Sequence, residues 1–347
     1  MSRPNPDFWR GRRVLMTGHT GFKGSWLTLM LTRLGASVTG LALPPEPGPA
    51  LFRLLAPGLR LSHHEANLCD GGAVRHILDG ARPSVVLHLA AQALVGRGYA
   101  DPAGTFATNL TGTINVLEAL RGLTGVEAAV MVTTDKVYRN EGVGRHFRED
   151  DPLGGTDPYS ASKAACEIAI ASWRTAFLCE LPHIVSARAG NVIGGGDFAP
   201  SRLIPDVVRA AAGAPLVLRY PNATRPWQHV LDVLRGYLLV AEHAAAGTAP
   251  AAVNFAPSEG NAASVLEMVA GFSAAFGVKL HWTQVPAPAP EAPLLALDGG
   301  LASAALGWRP RLDGAGTIAQ TAAWYAAWRR GGDMLDHSRR DIEAALS

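Results

Sequence analysis

The 347-residue chain has few cysteines and no clear metal-binding motif. Its three cysteines, Cys69, Cys166 and Cys179, are odd in number and lack the C-x-x-C spacing. This argues against both a disulfide framework and a zinc site. The adjacent His63 and His64 have no partner cluster in the sequence, so we expect them in a solvated loop without a metal.

Long apolar runs and an excess of one charge are also missing. No apolar stretch reaches the ~18 residues that a membrane-spanning helix needs, and residues 1–13 lack the apolar core of a signal peptide. The chain carries 31 basic and 29 acidic residues, a net charge of +2. Without a basic run, nucleic acid and anionic membranes are not expected as partners. We therefore expect a cytoplasmic protein.

A glycine-rich turn lies near the start of the chain. The apolar run Arg13–Thr17 predicts a buried strand, and Gly18, Gly21 and Gly24 follow it at G-x-x-G-x-x-G spacing. A helical stretch and a second predicted strand, 36–43, complete the unit. Such glycines permit a tight turn, a close approach of the backbone to a pyrophosphate, and packing of the helix on the strand. The unit predicts a dinucleotide-binding site.

Strands and helices continue to alternate, which predicts an α/β fold with a doubly wound parallel sheet of the Rossmann type. Further strands are predicted at 85–91, 128–134 and 183–187, and helices at 106–120 and 159–178. Ligands of such sheets bind outside the carboxyl ends of the strands. The residues predicted at those ends are Gly18, Ala90, Thr134, Arg188 and Asn191.

The character of the chain changes after Asn191. We expect residues 1–190 to form a cofactor domain, to which 225–256 return. We expect 191–224 together with 257–347 to form a smaller, mixed α/β domain that binds the substrate. In that second domain the stretch 200–206 is expected to be irregular and followed by a short helix from Val207.

Tyr159 and Lys163 lie four residues apart at the start of a predicted helix, directly after Pro158. Positions i and i+4 share one helix face, so the phenol and the ammonium can point at the same spot. A neighbouring cation stabilises a phenolate, and we expect it to lower the pKa of Tyr159 from about 10. Tyr159 is therefore a candidate general base for a substrate alcohol. Such pairs also arise by chance, and here the position at the ligand edge of the sheet favours a function.

Four motifs together resemble the extended short-chain dehydrogenase/reductase family of nucleotide-sugar enzymes. They are the glycine turn, Thr134-Asp135-Lys136, Tyr159-x-x-x-Lys163 and Arg225-x-Trp227. Within that family, residues 17–27, 188–197, 202–206 and 225–231 are similar to the CDP-glucose 4,6-dehydratase group. The resemblance covers nearly the whole chain. It implies NAD as the cofactor, CDP-glucose or a related nucleotide sugar as the substrate, and a homodimer formed through a four-helix contact.

The resemblance also implies a reaction. In such enzymes a hydride passes from sugar C4 to NAD while the tyrosine, here Tyr159, removes the 4-OH proton. Water then leaves across C5 and C6, and the hydride returns to C6. Asp135 is the implied acid for the 6-OH, with a raised pKa, and Lys136 the implied C5 base, with a lowered pKa. Thr134 is expected to form a hydrogen bond with the 4-oxygen. The alternative interpretation of Asp135 and Lys136 is an ordinary ion pair in a surface loop.

Further contacts follow from the same resemblance. The implied cofactor residues are Gly18, His19, Gly21, Phe22, Lys23, Gly24, Asn67, Leu68, Ala90, Ala91, Gln92, Asn109, Tyr159 and Lys163. The implied substrate residues are Asn191, Arg202, Leu203, Arg225 and Glu291. Arginine suits bidentate phosphate binding, although each of these arginines can instead belong to a salt bridge between the domains.

Some positions depart from the family pattern. The second strand ends without an acidic residue that would bind the adenosine ribose hydroxyls. It also lacks a basic residue that would bind a 2′-phosphate, so the cofactor prediction stays NAD and not NADP. Gly96 and Gly98 replace an arginine and a serine beside the sugar, and Pro293 and Leu294 replace a histidine and a tyrosine. These changes leave the sugar and the nucleotide base open.

Three alternatives to a CDP-glucose dehydratase therefore remain. The first is a 4,6-dehydratase for another nucleotide sugar, and the second is a nucleotide-sugar 4-epimerase. An epimerase needs neither a C5 base nor a 6-OH acid, so Asp135 and Lys136 argue against it. The third is an NAD-sensing regulatory protein that has lost catalysis. Tyr159 and Lys163 argue against it, because both residues of the catalytic pair are present.

Overall fold

The structure is a computed structural model that describes residues 2–140, 142, 144–258, 262–285 and 295–347. Its strands are β1 (Arg13–Thr17), β2 (Ser37–Ala42), β3 (Leu61–Glu65), β4 (Val85–His88), β5 (Ala128–Val132), β6 (His183–Ala189), β7 (Val192–Ile193), β8 (Leu216–Leu218), β9 (Thr224–Pro226), β10 (Gln228–His229), β11 (Ala252–Phe255), β12 (Ala262–Ser264) and β13 (Trp282–Gln284).

The helices surround these strands. They are α1 (Pro6–Trp9), α2 (Phe22–Arg33), α3 (Leu51–Leu55), α4 (Gly71–Ala81), α5 (Val95–Ala100), α6 (Pro102–Phe106), α7 (Gly112–Leu120), α8 (Pro158–Ala176), α9 (Leu203–Ala210), α10 (Val230–Ala245), α11 (Val265–Phe276), α12 (Gly300–Leu306), α13 (Gly314–Arg329) and α14 (Met334–Leu346). A π-helical turn, Ala107–Thr111, joins α6 to α7. None of the described helices is long and apolar enough to cross a membrane.

A seven-stranded parallel sheet forms the centre of the molecule, in the order β11-β6-β5-β4-β1-β2-β3. The central strands are short apolar runs because helices cover both faces of a parallel sheet. Val14, for example, pairs with Val38 on one side and Val85 on the other, and all three are buried. The predicted doubly wound sheet is confirmed. Its strand order reverses between β1 and β4, where such sheets bind their ligands.

Local sequence signals set the start of the helix that carries Tyr159. Pro158 occupies the first helical position of α8, where no N–H partner is needed. The Asp157 carboxylate caps the helix by accepting the backbone N–H of Ser160 at 3.0 Å. The predicted boundary at Pro158 is confirmed, and Tyr159 therefore faces the sheet from the first turn of the helix.

Two predictions of local structure are wrong. His63 and His64 lie in β3, an edge strand, and not in a loop. β3 was missed because its residues are mostly polar and exposed, as is common at a sheet edge, so it has no apolar pattern. The helix expected from Val207 begins at Leu203. Pro205 did not prevent this, because proline is tolerated in the first turn of a helix.

The second half of the chain contributes to the central sheet as well as to the smaller structure beside it. β11 pairs with β6 at the edge of the sheet, and α10 packs against β5 and β6. The two-stranded pairs β7–β10, β8–β13 and β9–β12 lie outside it. The division into a cofactor domain and a substrate domain stays a prediction.

Three buried histidines give the fold a predicted pH dependence. Burial lowers the pKa of His19 to about 4 and those of His88 and His229 to about 3. Below the ordinary histidine pKa of about 6.5, the unfolded chain takes up protons that the fold excludes. We expect the free energy of unfolding to fall as pH decreases from about 6.5 to 4, by about 1.4 kcal/mol per pH unit for each histidine.

Urea unfolding of the wild type and of His88→Asn, at about pH 7 and about pH 5, measures this effect. The variant loses hydrogen bonds and should be less stable at the higher pH. It should, however, lose less stability on acidification, since one proton uptake is removed. An equally steep acid loss in the variant would contradict the assignment for His88.

Candidate active site

The glycine turn brings β1, β4 and α2 into close contact. Gly18 has a φ of +78°, and a Cβ atom on it would lie 2.7 Å from the backbone nitrogen of Ala90. A Cβ on Gly24 would lie 2.1 Å from the Gly18 carbonyl oxygen. Only glycine fits either position. The first-turn N–H groups of α2 have no intrahelical partners, so this turn fits the pyrophosphate of a dinucleotide.

Hydrogen bonds behind the turn hold the crevice between β1 and β4. The Thr17 hydroxyl lies 2.8 Å from Nδ1 of His88 and accepts the Ala90 N–H at 3.1 Å. The other ring nitrogen of His88 lies 3.1 Å from the hydroxyl of Thr113 on α7. Ala90 is thus held at the carboxyl end of β4, where its small side chain leaves room beside the glycine turn.

The side chain of His19 is turned towards the sheet. Its ring lies over Gly40 of β2, where a Cβ atom would be 2.4 Å from Nδ1, and its Nε2 is 2.6 Å from Nδ1 of His63. Burial and the neighbouring His63 lower the pKa of His19 to about 4. The imidazole is therefore neutral at pH 7 and packed under the turn, so any contact of His19 with a phosphate comes from its backbone.

Tyr159 and Lys163 do not interact as the sequence predicted. The Lys163 ammonium donates a 2.9 Å hydrogen bond to the Val132 carbonyl, at the end of β5. The Tyr159 hydroxyl instead shares a hydrogen bond with Thr134. Burial raises the pKa of Tyr159 to about 12, while the bond to Thr134 and the charge of Arg202 act to lower it. The expectation of a lowered phenol pKa is wrong for this structure, because burial outweighs the nearby cations.

Thr134 and Asp135 follow β5 directly and meet Tyr159. The Thr134 hydroxyl lies 2.8 Å from Oδ1 of Asp135, which is buried. The other carboxylate oxygen, Oδ2, has no hydrogen-bond partner among the described residues. A Cβ atom on Gly190 would lie 1.9 Å from that oxygen, so this glycine is required for the Asp135 rotamer. Burying an unpaired carboxylate oxygen is costly, which points to a ligand as its partner.

The family model for the NAD dependent epimerase/dehydratase family matches residues 14–256. The chain belongs to this family. A CDP-glucose 4,6-dehydratase from Salmonella typhimurium is 38% identical over 351 residues, which are 98% of each chain. A dTDP-glucose 4,6-dehydratase from Neisseria gonorrhoeae is 30% identical over 67% of this chain and 70% of its own length.

Solved structures in the same family have the same fold. A dTDP-glucose 4,6-dehydratase from Streptomyces venezuelae with NAD bound superposes with a TM-score of 0.80, at 26% identity, over 93% of this chain and 99% of that one. A UDP-glucose 4-epimerase from Thermus thermophilus in complex with NAD gives 0.77 at 27% identity, over 90% and 98%. The predicted family and the predicted cofactor, NAD, are confirmed.

A buried polar network beneath the site was missed in the sequence, although Arg188 was placed at a strand end. The Arg188 guanidinium on β6 makes two 2.9 Å hydrogen bonds to the carboxylate of Glu167 on α8. Glu167 also accepts the hydroxyl of Thr133 at 2.5 Å, and Arg188 donates to the Tyr138 hydroxyl at 2.6 Å. The network therefore ties β5, β6 and α8 together directly below Tyr159. Only the folded chain brings these residues together.

Asn109 and Gln92 form hydrogen bonds within the protein that support the elements around the site. Asn109 lies in the π-helical turn, and its amide donates to the Ser162 hydroxyl at 2.8 Å while its oxygen accepts the Gln92 N–H at 2.8 Å. The Gln92 side chain bonds Thr105 and the Leu94 N–H. Both side chains are engaged within the protein. The structure places Asn109 as a support for α8, and its contact with the cofactor stays a prediction.

The remaining predicted residues lie in different surroundings. Asn67 is exposed and caps a turn by accepting the Cys69 N–H at 2.9 Å, while Leu68 is buried against α7. The Arg202 guanidinium donates a 2.8 Å hydrogen bond to the Asp197 carboxylate. It also interacts electrostatically with Tyr159. Asn191 has a φ of +44° and a buried amide nitrogen without a partner among the described residues.

Arg225 is buried in β9, where it donates to the Thr224 carbonyl at 2.8 Å. Leu203 opens α9 directly after Arg202. Glu291, Pro293 and Leu294 lie outside the described residues. The structure therefore brings the Arg202 guanidinium close enough to act on Tyr159, and its contact with the substrate stays a prediction.

The glycine turn gives a direct prediction for cofactor binding. In Gly24→Ala, the new Cβ would collide with the Gly18 carbonyl and move α2 away from β1. We expect NAD affinity, measured by isothermal titration calorimetry, to fall at least about tenfold, or about 1.4 kcal/mol.

Gly80→Ala is the matched control, because Gly80 lies at the exposed end of α4, where an added Cβ would meet no atom within 4 Å. This control should bind NAD like the wild type and be slightly more stable, since alanine favours a helix. Wild-type NAD affinity in Gly24→Ala would contradict the assigned role of the turn.

Proposed function

We propose that the chain is a CDP-glucose 4,6-dehydratase, which converts CDP-glucose to CDP-4-keto-6-deoxyglucose and water. The relative with this name is 38% identical over 98% of the chain. The observation that carries the proposal is the position of Asp135 and Lys136 directly after β5, beside Thr134 and Tyr159. A 5,6-elimination of water needs an acid and a base in addition to the group that works at the 4-OH.

The proposed first step is oxidation at sugar C4. Tyr159 takes the proton from the 4-OH, and Thr134, which bonds its hydroxyl, also lies in reach of the developing 4-oxygen. NAD, when bound, supplies a reversible acceptor for the C4 hydride. Arg202 and Thr134 assist because their contacts lower the pKa of Tyr159 against the effect of burial. The product of this step is a 4-ketone.

The proposed second step is loss of water, for which the ketone prepares the sugar by acidifying the C5 hydrogen. Lys136 removes the C5 proton, and Asp135 gives its proton to the 6-OH, which leaves as water. The unpartnered Oδ2 of Asp135 is the atom that supports this role, since the other oxygen is engaged by Thr134. The hydride taken at C4 ends at C6, and Lys136 returns a proton to C5. The proton that Tyr159 took from the 4-OH replaces the one that Asp135 gave, so no net oxidation or change of protonation occurs.

Substrate recognition is proposed for residues beyond the sheet. Asn191 has a buried amide nitrogen available for an acceptor, and Arg225 and Arg202 supply positive charge. Leu203 and Glu291 complete the set that the family resemblance implies. In this arrangement the second half of the chain binds the nucleotide sugar and the first half binds NAD. A cytoplasmic location also stays a prediction from the sequence.

Incubation with CDP-glucose tests the proposed reaction. We expect a 4-keto product that absorbs near-ultraviolet light in alkali, with little product from dTDP-, GDP- or UDP-glucose. Two variants separate the steps when the reaction runs in deuterium oxide. Lys136→Met should block exchange of the C5 hydrogen, whereas Asp135→Asn should allow that exchange and lower water loss by about 100-fold or more.

Other outcomes are equally decisive. If only another nucleotide sugar is turned over, the proposed substrate is wrong. If the product is a C4 epimer, the proposed reaction is wrong. Loss of C5 exchange in Asp135→Asn, with exchange retained in Lys136→Met, would reverse the two roles. NAD binding without turnover of any of these sugars would favour a regulatory protein.

We also propose that the protein is a homodimer formed through α8 and the segment from α6 to α7. Ile168 on α8 is 62% exposed and Phe106 on α6 is 36% exposed, and both are large and apolar. Burying such side chains against a second copy is favourable by about 1.5–3 kcal/mol each. A two-fold axis beside α8 would join these faces into a four-helix contact.

Light scattering tests the dimer. The wild type is expected to have twice the mass of the chain, and Ile168→Lys should shift the population towards monomer because a charge would enter the buried contact. Val217→Lys is the control, since Val217 is 43% exposed on β8, outside the proposed face. A monomeric wild type, or an unchanged dimer in Ile168→Lys, would contradict the proposed interface.

A further inference from the structure

Lysine is rare in this chain. Of the 31 basic residues, only Lys23, Lys136, Lys163 and Lys279 are lysines, and the other 27 are arginines. Lys279 is exposed after α11. The other three all lie at the active site. Arginine is always charged in proteins, whereas a buried lysine can lose its proton. An amine that can change its charge is therefore present at this site, where an arginine would stay charged.

Lys23 is held inside the site by Tyr237. It is the second residue of α2, and its Nζ lies 3.3 Å from the Tyr237 hydroxyl and 5.7 Å from the centre of that ring. Tyr237, on α10, is fully buried and packs edge-to-face on Phe255. The amine is thus directed towards a buried phenol, and its position is defined by rigid elements on two sides.

The charges around Lys23 come from several elements. Asp135 after β5 attracts its ammonium, whereas Arg202 before α9 and Lys163 on α8 repel it. Tyr237 in turn lies close enough to Tyr159 for the two phenols to interact electrostatically. No carboxylate in the described part of the chain lies within salt-bridge distance of Lys23. Burial, together with the two cations, lowers the pKa of Lys23 to about 7.

We propose that Lys23 is a third functional lysine of the site, a proton-exchanging amine held by Tyr237 that sets the charge felt by Asp135. Charged Lys23 attracts the Asp135 carboxylate, and neutral Lys23 does not. Because Asp135 is the group proposed to act at the 6-OH, this part of the inference rests on the proposed dehydratase. Because both forms are used in one reaction cycle, arginine cannot replace this lysine. In this role Lys23 is a positioning residue.

A simpler role for Lys23 is a fixed anchor for the cofactor phosphates. That role needs only a permanent positive charge, which arginine supplies at least as well. The two roles therefore predict opposite results for Lys23→Arg. Rescue by arginine supports the anchor, and failure of rescue supports the proton-exchanging amine.

Direct titration is possible because there are only four lysines. In the NAD-loaded protein with lysine labelled by carbon-13 at Cε, the spectrum contains four signals, and Lys23→Met and Lys279→Met assign two of them. We expect Lys23 to titrate with a pKa below the ordinary lysine value of about 10.4, because burial, Arg202 and Lys163 lower it. Titration of Lys23 together with Lys279 would overturn the proposal. This measurement does not depend on which sugar is the substrate.

Kinetics and cofactor binding complete the test. We expect both Lys23→Arg and Lys23→Met to lower kcat by about tenfold or more, since each is fixed in one charge state, and to remove an ionisation near pH 7 from the pH profile of kcat. Both should bind NAD within about threefold of the wild type. Lys279→Arg and Lys279→Met, the matched controls, should keep the wild-type kcat and pH profile.

Two results would overturn the proposal. The first is a wild-type kcat and pH profile in Lys23→Arg. The second is loss of NAD affinity in Lys23→Met with recovery in Lys23→Arg, which would make Lys23 a phosphate anchor. If none of the sugars is turned over, the proposed function fails, but the titration and the NAD affinities still decide the role of Lys23.

Discussion

The site depends on one buried ion pair, between Glu167 and Arg188. Taking two charges out of water is costly unless each is fully hydrogen-bonded, and removing one partner of such a pair typically costs about 3–5 kcal/mol. Here two parallel bonds join the pair, and Thr133 and Tyr138 supply further bonds. The pair connects α8, which carries the proposed base, to the ends of β5 and β6. The mutual position of the proposed catalytic groups therefore rests on it.

Much of the fold is predictable because it depends on local patterns. Apolar runs between turns predict the central strands, and Pro158 predicts the start of α8. The polar edge strand β3 has no such pattern, and the start of α9 at Leu203 is set by packing rather than by propensity. The glycine turn was predictable because Gly21 and Gly24 meet Gly18 within one short unit, whereas the approach of Gly18 to Ala90 appears only in the fold.

The proposed site is predictable only in part. Its residue types follow from motifs near strand ends, but their contacts come from distant parts of the chain. The spacing of Tyr159 and Lys163 predicted a direct effect on the phenol, yet the lysine donates to the Val132 carbonyl and burial controls the pKa of Tyr159. Gly190 and Tyr237 touch Asp135 and Lys23 only after folding, and no local signal identifies either pairing.

The polar edge strand β3 has a consequence for assembly. An edge strand exposes a row of backbone N–H and C=O groups to which a strand from another molecule can pair. In β3, Ser62, His63, His64 and Glu65 are exposed, and these side chains make the edge unfavourable for a dry, apolar neighbour. Growth of the sheet from one molecule into the next is therefore disfavoured on this side.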